Sequence, residues 1–130
     1  MTKLFEVQEA IYARLTAELG NKVNGVFDYV PEDTKFPYIV IGRVQSTPER
    51  TKTTVGERIE VELDIWSSAK GKKETISIVN LIKDALDEEL PIPGADLIDQ
   101  DITSIEVLEE INDLYHGTVV FEVLLDMEGE

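Results

Sequence analysis

The segment 58–65 constrains the fold of this chain more than any other. Ile59, Val61, Leu63 and Ile65 alternate with Arg58, Glu60, Glu62 and Asp64. A period of two puts the apolar side chains on one face of a strand and the charged ones on the other. Such a strand buries one face and wets the other, which calls for a sheet covered on one side. Trp66 closes the run on the wet-face parity.

Two helical stripes supply the cover. Leu4, Val7, Ile11, Leu15 and Leu19 recur at helical spacing, with Phe5 and Tyr12 widening the stripe, and Gly20-Asn21 ends it. The spacing predicts a helix over about residues 3–19. Ile76, Val79, Ile82, Leu86 and Leu90 predict a second over about 71–89, stopped by Pro91. Residues 26–30 read as a short strand ended by Pro31. Residues 38–44, apolar on both faces, read as a strand in the middle of the sheet. Residues 97–108 and 118–127 read as the last two strands, with Val119, Phe121, Val123, Leu125 and Met127 on one face. Ser46 to Gly56 has no large apolar residue except Val55 and reads as a long mobile hairpin loop. The expected fold is α+β: a two-layer sandwich with two helices on one face of a mostly antiparallel sheet of about five strands. The order is α-β-β-β-α-β-β, in a single domain spanning residues 1–130. Tyr38, Val40, Val120 and Leu124 are surplus apolar residues for a wet face, which a partner or loops must cover.

Charge is distributed unevenly. The chain carries 27 acidic and 12 basic residues, a net charge of −15. Residues 1–83 contain all 12 basic residues and are balanced; residues 84–130 contain 15 acids and neither lysine nor arginine. An acidic chain gains no affinity from phosphate neutralisation, so groove readers and single-strand binders are not expected, and attraction to anionic lipid is excluded. No apolar run approaches the roughly 20 residues that span a bilayer. Without cysteine there is no disulfide framework, thiol nucleophile or cysteine-type zinc site. The start has no secretory pattern, and the expectation is a soluble protein made in a cytoplasm.

Chemistry-bearing motifs are sparse. Neither a P-loop nor a G-x-G-x-x-G loop occurs. His116, the one histidine, reads as a solvent-facing turn residue; the alternative is a base acting with Ser104 or Thr118. Asp96, Asp99 and Asp101 lack the spacing of a calcium loop, and Glu109, Glu110 and Asp113 form an acidic turn without ligand order. No catalytic residue, cofactor or metal is expected. The second helix is odd: Lys70, Lys72 and Lys73 crowd its start and Asp87, Glu88 and Glu89 its end, against the macrodipole. Either these charges are merely solvated, or each end meets an opposite charge on another subunit or protein.

The phrase Val26-Phe27-Asp28-Tyr29-Val30-Pro31, a polar spacer, then Phe36-Pro37-Tyr38-Ile39-Val40-Ile41-Gly42 resembles the tail completion proteins of long-tailed bacteriophages. That family is also called tail-to-head joining or tail terminator proteins. Further matches are Ile11-Tyr12-x-x-Leu15, Asp64-Ile65-Trp66-Ser67, the Gly71 helix start and Tyr115-His116-Gly117 before the last strand. The resemblance runs over about residues 4–127. It implies a non-enzymatic virion protein at the head–tail junction, assembled in the bacterial host cytoplasm. It further implies a homo-hexameric ring on the tail tube protein that meets a head-side connector or completion protein. DNA would pass through without sequence-specific binding, and no membrane is involved. Glu49, Arg50, Lys52, Lys70, Lys72 and Lys73 are then candidate subunit or partner contacts. Asp96, Asp99, Asp101, Glu109, Glu110 and Asp113 are candidates for an acidic lumen or interface face, where carboxylates repel DNA phosphate. Competing readings are a head completion or connector neck protein, a small acidic-site metal-dependent hydrolase, and a nucleic-acid-mimicking inhibitor.

Overall fold

The computed structural model describes residues 1–50 and 55–127. Helix α1 (Leu4–Leu19) precedes β1 (Val26–Phe27), β2 (Tyr38–Arg50) and β3 (Val55–Ser67). Helix α2 (Lys73–Ala85), β4 (Asp96–Glu109) and β5 (Tyr115–Asp126) follow. One five-stranded sheet has the order β1-β2-β3-β5-β4, antiparallel except for the β1–β2 pair. This is the expected α+β arrangement and element order.

The alternation in β3 builds the core. Ile59, Val61, Leu63 and Ile65 are all fully buried and register with Val123, Phe121, Val119 and Gly117 of β5. Val7, Ile11, Leu15 and Leu19 of α1 and Ile78, Val79 and Ile82 of α2 close over them. Helix α1 lies against β1, β2 and β3, whereas α2 lies against β3, β5 and β4. Both helices therefore cover the same face, and the other face stays open.

Several local expectations change. The segment 46–56 is not one long loop: Ser46–Arg50 continues β2, paired with Ile59–Val55, while residues 51–54 of the expected loop lie outside the described residues. The ladder needs backbone groups, not apolar side chains, so a polar strand end escapes pattern reading. Strand β2 is second from the edge and β3 is central, because β1 adds outside β2, along Ile39 and Val40, while β5 and β4 add on the far side of β3. Its two apolar faces are served instead by the helix layer and by Phe36 and Phe27, whose rings contact Tyr38. β1 has two residues rather than five. β4 and β5 are longer than expected, through Glu109 and from Tyr115.

Helix α2 stops at Ala85, short of 89, because its last carbonyls are taken by side chains. Arg14 Nη1 donates to Ala85 O (2.8 Å) and Glu88 O (3.0 Å), and Nη2 donates to Glu89 O (3.1 Å). Gln100 Nε2 donates to Leu86 O and Glu88 O, and Leu90 N donates back to its Oε1. A guanidinium at a helix C-terminus satisfies both orphan carbonyls and macrodipole. Arg14 of α1 thus joins Lys83, the one basic residue in the last turn of α2, in countering the acids Asp87, Glu88 and Glu89.

The start of α1 is held by a buried carboxylate. Glu57 is only 6% exposed and accepts hydrogen bonds from the Thr2 and Ser46 hydroxyls and from Lys3 N (2.8 Å). Burial raises its pKa, but these three donors outweigh burial and hold the carboxyl below its ordinary value.

Candidate functional site

The open face of the sheet is built by residue parity. Partners in register share a face, so the side chains of Arg58, Glu60, Glu62, Asp64 and Trp66 on β3 stand beside neighbours of matching parity. These are Gln45, Thr47 and Glu49 on β2 and His116, Thr118, Val120, Glu122, Leu124 and Asp126 on β5. Strand β4 adds Asp96, Asp99, Asp101, Ser104, Glu106 and Leu108. Bulges between Leu97 and Asp99 and between Ile102 and Ser104 keep these residues on the open side along the strand. The surplus apolar residues Tyr38, Val40, Val120 and Leu124 lie on this face, half-buried among the charged chains.

The face is acidic and partly cross-linked. Arg58 Nε pairs with Glu49 Oε1 at 2.7 Å and its Nη1 with Glu122 Oε1 at 2.5 Å, tying three strands together. Arg43 Nη2 lies 3.3 Å from Glu60 Oε1. The carboxylates of β4 have no such partners among the described ion pairs, because β4 is an edge strand and β5, the strand beside it, carries no lysine or arginine.

At the opposite end a second cluster forms. His116 is not a turn residue: it sits in β5, and its ring stacks on Trp66 with centroids 4.0 Å apart and planes 9° apart. Nε2 lies 2.7 Å from Asp64 Oδ1 and Nδ1 lies 3.1 Å from Glu110 Oε1. Thr118 Oγ1 is 3.4 Å from Nε2 and from Asp64 Oδ1. Imidazole between two carboxylates ties the β4–β5 turn to β3. Nε2 is engaged by Asp64 at 2.7 Å, with Thr118 Oγ1 farther off at 3.4 Å, so the ring's closest partners on both nitrogens are carboxylates rather than a hydroxyl. Gly42 opens space for the adjacent acids: a Cβ there would fall 2.4 Å from Asp64 Oδ2. Burial, the Asp64 charge and a hydrogen bond shared with Asp64 raise the Glu62 pKa above its ordinary value. Among the described residues no group of three or more histidine, aspartate or glutamate side chains is arranged to hold a metal ion. No helix among them is long and apolar enough to cross a membrane.

The sequence-derived candidates separate into distinct places. Asp96, Asp99 and Asp101 share the exposed end of β4, but roughly 25 Å of extended strand separates Asp101 from Glu109. Glu109 ends β4, Glu110 holds His116, and Asp113 adopts a φ of 61° in the turn. Glu49 is engaged by Arg58, whereas Arg50 ends β2 and lines a groove with Val55 and Met127. Lys70, Lys72 and Lys73 are exposed at the turn into α2. Lys52 lies outside the described residues. Sequence reasoning missed the acids of β3 and β5 as part of the acidic face, although the parity of Glu60, Glu62 and Glu122 contained that information.

The chain is similar to proteins of phage tails. A family model described as tail completion protein gp17 matches residues 9–126. The tail completion protein gp17 of Bacillus phage SPP1 is 34% identical over 68 residues, 52% of this chain. That match spans about half of the relative's length. The solved structure of the SPP1 gp17 protein superimposes with a TM-score of 0.63 at 25% identity, covering 95% of this chain and 89% of that one. A chain from the virion of a native gene transfer agent particle has the same fold, with a TM-score of 0.78 at 19% identity. It covers 92% of this chain and 94% of its own. With the family model matching nearly the whole length and the two-helix, five-strand fold in place, the chain belongs to the phage tail completion protein gp17 family.

Proposed function

We propose that this protein caps the phage tail tube and joins tail to head, as a ring of six copies at the head–tail junction. The role is mechanical rather than enzymatic: the ring stops tube growth and presents a docking surface to a head-side connector. The family match over residues 9–126 carries this reading. The geometry supports it in a second way. The helix-covered face holds the core, so the open sheet face is free to border a channel. Its carboxylates, Asp96, Asp99, Asp101 and Glu106 foremost, would repel passing DNA phosphate and prevent adhesion. Acids of β3 and β5 in register with this strand, Glu60, Glu62 and Glu122, would extend the same lining.

Negative-stain electron microscopy of purified protein mixed with isolated tail tubes tests the reading. Caps at tube ends are expected. Binding to emptied heads instead of tubes would favour a head-side neck protein and overturn the assignment. The channel lining is tested by replacing Asp96, Asp99 and Asp101 with Asn and Glu106 with Gln together. Slower or incomplete DNA delivery with normal capping is expected; unchanged delivery refutes the lining.

A further inference from the structure

Resting on the ring reading above, we propose that an aromatic groove on one copy receives the lysine turn, residues 70–73, of a second copy. The groove, about 480 Å³, lies between α1 and β1 and is walled by Phe5, Tyr12, Phe27 and Tyr29. These are unusual residues to leave open: Phe5 is 67% exposed and Tyr29 86%. Exposed aromatics gathered on one surface mark interaction sites. Glu9 and Asp28 also line the groove, and no cation does. Aromatic faces beside carboxylates form the environment that accepts an ammonium or guanidinium group.

The chain carries the matching partner. Lys70, Lys72 and Lys73 are exposed, and no ion pair among the described residues involves them. They sit at the N-terminal end of α2, where the macrodipole repels cations. The opposite charge anomaly of this helix is resolved inside the chain by Arg14, but the lysine end is not. Gly71, at φ +83°, has no atom within 4 Å of where a Cβ would stand, so the turn projects from the fold. The groove belongs to the half of the helix layer over β1 and β2, and the turn to the half over β3, β5 and β4. Two different surfaces meeting between copies make a heterologous contact, which closes into a ring when the rotation permits.

The chain has no cysteine, so introduced pairs report directly. Tyr29→Cys with Lys72→Cys in one chain should form disulfide-linked multimers of copies on tail tubes and in concentrated solution. Tyr29→Cys alone should give no disulfide-linked species; a disulfide-linked dimer from it would signal a self-complementary contact and overturn the proposal. Lys72→Glu with Lys73→Glu should raise the concentration for half-maximal assembly about tenfold. Adding Glu9→Lys and Asp28→Lys to the same chain should restore it. Failure of that rescue in a chain with unchanged circular dichroism overturns the pairing. Capped tubes without Tyr29–Lys72 cross-links refute this contact and leave the cap intact. Cross-links in solution with bare tubes refute the cap and leave the contact.

Discussion

Replacing Glu57 with Gln removes one charge and almost no volume. The wild-type carboxylate is 6% exposed and receives the Thr2 and Ser46 hydroxyls and Lys3 N. It therefore secures the start of α1 to the β2–β3 hairpin, where the helix offers no side-chain cap of its own. Hydrogen bonds to a charged acceptor contribute about 1.5–3 kcal/mol each, and a carboxylate near a helix start adds about 0.3–1 kcal/mol. Gln keeps one acceptor oxygen and the shape, so the charged part is lost, about 1–2 kcal/mol. For a chain of this size that lowers Tm by about 3–10 °C at pH 7. The folded carboxyl titrates below the unfolded value of 4.5. Its contribution is complete above pH 4.5 and is lost as pH falls through the folded pKa. Thermal and urea unfolding of both proteins from pH 7 to pH 3 should show the gap closing below pH 4.5. A gap of the same size at both ends would mean that charge on Glu57 does not hold the helix.

Three further outcomes follow from the same geometry. Arg14→Ala strips Ala85 O and Glu89 O of their side-chain donor, leaving Glu88 O to Gln100, and should cost about 1–3 kcal/mol in urea unfolding, with Arg14→Lys recovering part. Glu62→Gln should stabilise the protein at pH 7. The folded pKa of Glu62 is raised, so ionisation there opposes folding; the gain over wild type should vanish as pH falls towards 4.5. His116→Ala removes the ring stacked on the one tryptophan, so Trp66 emission should change in intensity and move to longer wavelength, while faster amide exchange appears in the 110–113 turn.

Much of the fold was legible because periodicity reports burial directly. The β3 alternation, the α1 stripe and the β5 parity each follow from one face meeting a core, and the structure buries them as the pattern requires, except that Phe5 and Tyr12, read as widening the α1 stripe, stand exposed beside β1 instead. The misjudged segments share a different cause. Residues 46–50 extend β2 through backbone pairing with no apolar signature, and Glu57 turns inward there to bind three donors. His116 sits next to Gly117, a turn-like pair by composition, yet Gly117 is needed for close packing: a Cβ would fall 2.7 Å from Thr75 Cγ2. Arg14 and the end of α2 are about seventy residues apart, so no local window couples them.

The sequence by itself determined the class of the protein. Two helical stripes, one two-faced strand and a cation-free last third specify a one-sided α+β layer with an acidic surface, because hydrophobic period and net charge are local sums. Tertiary structure decided what those charges do. Strand register brought the acids of β3 and β5 beside those of β4, paired Arg58 with Glu49 and Glu122, and separated Asp101 from Glu109. It also answered one end of α2 with Arg14 and left three lysines at the other. Charge interactions depend on separation in space, and only the folded chain sets that separation.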